Sequence, residues 1–253
     1  MSLLKVEGLS KEFGGVHAIE DLTFTINPGT IHSIIGPNGA GKTTLFNLIT
    51  AVYTPSAGKI AFDGKDIQGK KPFELAAMGM SRTFQNLQIF FNMPAIENVM
   101  VGHHLHLNRS FLPSFLRLPS VVEADRKARE FCAGLMEFVG LAKYIDADAA
   151  QMPYGALKRL EIARALAAKP RLLLLDEPAA GLNATESREI DEVIKKVAQS
   201  GVTVVLVEHD MKMVMGISDA ILAIDYGRKL AEGTPAEVRA NPDVISAYLG
   251  AHA

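Results

Sequence analysis

Gly36-Pro37-Asn38-Gly39-Ala40-Gly41-Lys42-Thr43-Thr44 is the stretch that decides the fold. A glycine, four residues, then Gly-Lys-Thr is the pattern of a loop that wraps a phosphate group. Its glycines let the backbone turn so that successive N–H groups face inward around an anion, and the helix that follows adds its positive end. The flanks agree: residues 31–35 read as an apolar strand and residues 42–50 as a helix. In such a loop Lys42 reaches the β- and γ-phosphates and Thr43 ligates Mg²⁺. The loop alone leaves kinases, GTPases, helicases and transporter motors open.

Working outward, Leu172-Leu173-Leu174-Leu175-Asp176-Glu177-Pro178 is an apolar strand carrying two carboxylates at its C-terminal end, where ligands bind in open α/β sheets. Asp176 is placed to hold Mg²⁺ through its water shell, and Glu177 to act as general base or to orient the attacking water. Residues 202–207 form a second apolar strand, rich in valine, ahead of a helix at 211–216. Fully apolar strands of this kind belong in a parallel sheet covered by helices on both faces. Near the N-terminus, residues 3–9 and 22–26 alternate instead, and Asn27-Pro28-Gly29 supplies a turn, which predicts an antiparallel β layer.

Between the two α/β blocks, residues 86–169 have few β-branched runs and several helical ones, such as 123–139, and read as an inserted helical subdomain. Within it Ser110, Pro113, Ser114 and Pro119 mark residues 108–120 as a loop. The last stretch predicts a turn at Tyr226-Gly227, a short strand, and helices opening near Pro235 and Asp243. Residues 1–253 are therefore expected to form one α/β domain.

Composition narrows the function. Lys and Arg total 26 against 28 Asp and Glu, a net charge of -2 that gives no electrostatic case for nucleic acid. A single cysteine, Cys132, excludes an internal disulfide and suits a cytosolic protein. The start reaches charges at Lys5 and Glu7, unlike a signal peptide, and no apolar run approaches the roughly 20 residues that span a bilayer. Any membrane role is expected to come from a partner. His103, His104 and His106 have metal-like spacing but no companion carboxylate or cysteine cluster, and read as surface residues.

Taken with what separates them, the phosphate loop and the Asp176-Glu177 strand resemble the ATP-binding cassette (ABC) family, and the remaining family marks follow in order. The resemblance implies a P-loop ABC ATPase with ATP and Mg²⁺ as its ligands. Residues 36–44, namely Gly36, Pro37, Asn38, Gly39, Ala40, Gly41, Lys42, Thr43 and Thr44, would bind the nucleotide, and Phe13 stands where the family places a ring against adenine. Gln85, in Arg82-Thr83-Phe84-Gln85, matches the glutamine that meets Mg²⁺ and the attacking water; Thr43 and Asp176 complete the metal set. His209 matches the histidine at the γ-phosphate, beside the catalytic Glu177.

Met152-Pro153-Tyr154-Gly155-Ala156 matches the family signature, and Asn183 sits in the loop after the Asp176-Glu177 strand. Tyr154 and Gly155 would meet the nucleotide held by a second subunit. The sequence departs from the family at Pro153 and Ala156, where Ser and Gln are usual. Pro153 offers neither a hydroxyl nor a backbone N–H.

The wording of residues 176–183, 208–219 and 241–250 is similar to that of the ATP-binding subunits of branched-chain amino-acid importers. This resemblance implies an ATPase, homo- or heterodimeric, on the cytoplasmic face of the membrane. Its partners would be permease subunits fed by an extracytoplasmic solute-binding protein. Phe84, Phe90, Phe91 and Met93 form an apolar group suited to a permease helix or to plain core packing. The alternatives are an ABC ATPase acting on DNA or the ribosome, usually marked by long coiled-coil insertions or a second cassette, and a P-loop kinase.

Overall fold

The computed structural model describes residues 2–107 and 118–250. Along β1 (Leu4–Phe13) Leu4, Val6 and Leu9 are buried while Lys5 and Glu7 are exposed, as a strand with one covered face requires. It pairs antiparallel with β2 (Val16–Ile26) on one side and with β4 (Ala57–Phe62) on the other, and β5 (Lys65–Asp66) closes a sheet ordered β2-β1-β4-β5.

The second sheet has six strands in the order β10-β9-β3-β8-β7-β6. They are β3 (Ile31–Ile35), β6 (Met80–Arg82), β7 (Leu172–Asp176), β8 (Thr203–Val207), β9 (Ala220–Asp225) and β10 (Arg228–Gly233). Every residue of β3, β7 and β8 is buried, the pattern of central parallel strands with both faces covered. Register matters here: Asp176 at the end of β7 lies opposite Val207 at the end of β8, and Ile34 pairs with the same valine from the other side. The carboxylate strand and the phosphate-loop strand therefore end at one edge of the sheet. One core joins the two sheets, with Phe46 of α1 (Lys42–Ile49) fully buried alongside Leu4, Phe62, Leu174 and Val205.

The chain divides into two compact units, one made of Met1–Arg82, Arg171–Pro178 and Ile194–Ala253, the other of Thr83–Pro170 and Ala179–Val193. Both sheets lie in the first. In the second, α3 (Ala95–Gly102), α4 (Pro119–Phe138) and α5 (Tyr154–Ala167) pack on one another, burying Val99, Cys132, Met136, Leu160 and Ala163. α2 is Pro72–Ala77, and α6 (Ala184–Gln199), α7 (Met211–Ile217), α8 (Pro235–Ala240) and α9 (Pro242–Gly250) follow in order.

Several sequence expectations shift. β1 runs on to Phe13 and β2 begins at Val16, because the two strands keep pairing through Glu12 and His17. The helix expected over 123–139 begins at Pro119, since proline at the first helical position surrenders an N–H that has no partner there anyway. Pro119 and Ser120 thus leave the expected loop, and residues 108–117 of it lie outside the described residues. His103 is not a surface residue. It is buried, with Nδ1 2.9 Å from the carbonyl of Ala167 at the end of α5 and its ring 4.9 Å from that of Phe131. His104 and His106 are exposed, and among the described residues no cluster of three or more His, Cys, Asp or Glu stands ready for a metal.

Candidate functional site

The phosphate loop joins β3 to α1, as its sequence predicts. Gly41 has φ 104, and a Cβ there would lie 2.6 Å from the carbonyl oxygen of Ala18, so only glycine lets the loop pass under β2. Lys42 is nearly buried; its Nζ donates to the carbonyls of Gly36 at 2.6 Å and Pro37 at 2.9 Å. Burial lowers its pKa, while the Glu177 carboxylate acts in the opposite sense. Burial raises the pKa of the Tyr248 phenol on α9, while the backbone of Gly36 at the start of the loop acts in the opposite sense.

Glu177 follows β7 with φ 49, a left-handed conformation costly for a residue with a side chain and often found at functional sites. Its N–H donates to Val207, and its Oε1 lies 2.8 Å from His209 Nε2. His209 is held in turn by the step from β8 to α7, where its N–H donates to Glu208 and Asp210 caps the helix by accepting from Lys212 and Met213. The two side chains line a pocket of about 400 Å³ together with residues 16–18, residues 38–44 and Tyr226.

Asp176 is buried beside them, and Arg82 Nη2 donates to its Oδ2 at 2.8 Å. The same guanidinium donates to Asn47 Oδ1 at 2.7 Å and Thr50 Oγ1 at 3.1 Å, both on or just past α1. An arginine thus ties the end of β6 to the end of β7 and to the helix behind the loop. In the sequence Arg82 stands only as a neighbour of Gln85; nothing local announces a bond to a residue so far along the chain.

Phe13 is half exposed at the end of β1. Its ring meets that of Tyr53 edge-on at 5.2 Å, with Lys11 Nζ 4.8 Å from its centroid. Gln85, Tyr154 and Gly155 belong to the second unit. Gln85 is exposed and its carbonyl accepts from Lys158 Nζ at 3.3 Å. Pro153 is the N-cap of α5, with φ -60 and ψ 152 and no side-chain cap; its carbonyl accepts from Ala156 and Leu157. Asn183 makes a reciprocal capping pair at the start of α6: its Oδ1 accepts from the N–H of Thr185 and Glu186, and its own N–H donates to Glu186 Oε2.

Comparison with known proteins places this geometry. A family model described as ABC transporter matches residues 19–180, and a second, described as Branched-chain amino acid ATP-binding cassette transporter, matches residues 228–253. The high-affinity branched-chain amino acid transport ATP-binding protein BraF of Pseudomonas aeruginosa is 46% identical over 249 residues, covering 98% of each chain. LivG of Escherichia coli K12, which carries the same description, is 44% identical over 249 residues with 98% of each covered. Among solved structures, the ADP conformation of an ATP-binding cassette of an ABC transporter superposes with a TM-score of 0.86 at 31% identity, covering 99% of both chains. By the family model and by these relatives over nearly the whole of its length, the chain belongs to the ABC transporter family of ATP-binding proteins.

Proposed function

We propose that this chain hydrolyses ATP as the nucleotide-binding subunit of an importer for branched-chain or related amino acids. The observation that carries the hydrolytic part is the 2.8 Å contact between Glu177 and His209 on the wall of the phosphate-loop pocket. Residues 38–44 hold the triphosphate through backbone N–H groups, and Lys42 exchanges its loop carbonyls for β- and γ-phosphate oxygens. Glu177 takes the proton of the attacking water or orients it in line with the γ-phosphate. His209 fixes the glutamate's rotamer while the site is free, and its N–H turns from Glu177 to the γ-phosphate when the nucleotide binds. Thr43 and Asp176 present only oxygen donors to a metal, which suits a hard cation such as Mg²⁺, and they would hold it; Gln85 joins them only as the family resemblance implies. When bound, that ion neutralises charge developing on the β- and γ-phosphates.

The import reading rests on the 98% coverage by amino-acid transport relatives and on the C-terminal match at residues 228–253. Among the described residues no helix is long and apolar enough to cross a membrane, so transport requires permease partners. Phe84, Phe90 and Phe91 are each about half exposed in the second unit, and Asn98 pins the Phe90 backbone with two hydrogen bonds of 2.8 and 3.0 Å. That is a presented apolar surface, which fits a permease helix better than core packing. In the working complex two such subunits close over two ATP molecules on the cytoplasmic face, with Tyr154 and Gly155 of each meeting the nucleotide of the other.

Glu177→Gln tests the mechanism: turnover should fall about 10² to 10⁴-fold while ATP binding remains. A variant that hydrolyses ATP at the parental rate removes Glu177 from the chemistry. Co-purification with permeases, and uptake of leucine-like solutes in vesicles containing them, tests the transport reading.

A further inference from the structure

The turn between β9 and β10 places a large aromatic side chain at the phosphate-loop pocket. Tyr226 is 82% exposed and has φ 45, yet it is one of the residues lining the pocket. An exposed ring on a left-handed, non-glycine residue gains nothing from the core, and such strain collects at ligand sites.

The turn cannot drift. The N–H of Gly227 donates to the Ala40 carbonyl at 2.9 Å and its own carbonyl accepts from Glu20 at 2.9 Å. A Cβ on Gly227 would lie 2.6 Å from the Ala18 oxygen, so the turn is pressed against β2. The Tyr226 N–H is held by Asp225 Oδ1 at 3.0 Å. The backbone of the turn is thus anchored from both sides, against Ala18, Glu20 and Ala40.

That position has a chemical meaning. The phosphate-binding N–H groups of residues 38–44 and the hydrolytic pair define where the triphosphate lies, and the pocket's other lining residues are Val16, His17, Ala18 and Tyr226. A nucleoside is the part of the ligand with apolar faces to offer them. The ring of Phe13, the residue expected at adenine, is met edge-on by that of Tyr53.

We propose that Tyr226 is a nucleoside-contacting residue of this chain, its ring packing against the base or ribose of the bound nucleotide and setting affinity for the nucleoside end. The inference rests on the phosphate loop being the nucleotide site.

The protein contains no tryptophan, so Tyr226→Trp supplies a single fluorophore at the point in question. Its emission should change saturably with ATP and with ADP, independently of protein concentration, and not with inorganic tripolyphosphate. Tyr226→Asn keeps a residue that tolerates positive φ while removing the ring. By equilibrium dialysis it should weaken ATP and ADP by about fivefold or more, the lower end of base stacking, and leave tripolyphosphate unchanged, whereas Tyr226→Phe binds like the parent. Parental ATP affinity in the Asn variant, a tryptophan signal indifferent to ATP that dialysis shows to be bound, or a signal that follows protein concentration would each overturn the inference while leaving the site intact. A parent that binds no ATP overturns both.

Discussion

Replacing Arg82 by methionine keeps most of the side chain's volume and stem while removing the guanidinium from Asp176. The two side chains are 8% and 6% exposed and their atoms 2.8 Å apart, so solvent screens the pair little. Breaking a buried pair from one side costs about 3–5 kcal/mol, because a carboxylate is left in a poorly solvated place. Loss of the donations to Asn47 and Thr50 adds about 1 kcal/mol each. Contact with the Phe46 ring, whose centroid is 5.4 Å from the guanidinium carbon, adds a smaller part.

Taking roughly 5 kcal/mol, the lower end of that sum, and about 2–4 °C per kcal/mol for a chain of this size, the melting temperature should fall by about 10 °C or more. Circular dichroism on heating measures it. Arg82→Met combined with Asp176→Leu should recover over half the loss, since both charges then leave together. A single variant melting within about 2 °C of the parent, or a double variant that costs the sum of the two single changes, refutes the reasoning.

The other outcomes read the site and its surroundings. If the Phe13 ring also serves adenine, Phe13→Ala weakens ATP by about 1–3 kcal/mol and Phe13→Tyr does not; equal affinities in dialysis return Phe13 to its contact with Tyr53 alone. Pro153→Ser in a Glu177→Gln background restores a side-chain cap at the start of α5 and a hydroxyl toward the partner's nucleotide, and sedimentation with ATP should show about tenfold stronger closure. A serine variant that dimerises no better makes proline part of this chain's own signature. Burial lowers the pKa of His103 below the ordinary value of about 6.5, with the Ala167 carbonyl acting in the opposite sense. The unfolded chain therefore takes up its proton first as pH drops. The stabilisation is complete above about pH 6.5 and is lost as pH falls through the lower native pKa. His103→Asn, whose amide can reach the same carbonyl, should flatten the loss of stability between pH 7 and 5; parallel profiles argue that other groups control it.

Much of this was legible because the signals are local. The phosphate loop, β3, β7 and β8 announce themselves through glycine spacing and unbroken apolar runs. β5 and β6 have two and three residues, too few for any periodicity, and escaped notice. His103 and Arg82 are hidden in the sequence for another reason. Each satisfies a group brought close only by tertiary folding, the carbonyl ending α5 in one case and the carboxylate ending β7 in the other. Tyr226 reads as turn chemistry, which it is, but its place beside the loop follows from the hydrogen bonds that its neighbour Gly227 makes with Ala40 and Glu20.

The strand order of the six-stranded sheet has a consequence during synthesis. The antiparallel sheet has all its strands once Asp66 has left the ribosome, whereas β3, finished at Ile35, pairs only with β8 and β9, which begin at Thr203 and Ala220. At ordinary translation speeds that is an interval on the order of ten to thirty seconds. Throughout it a strand of Ile31, Ile34 and Ile35 has neither neighbour and two open edges. A nascent chain stalled before Thr203 is consequently not a smaller working cassette but a sticky fragment, and the yield of this protein in a cell depends on whatever shields those isoleucines until β8 arrives.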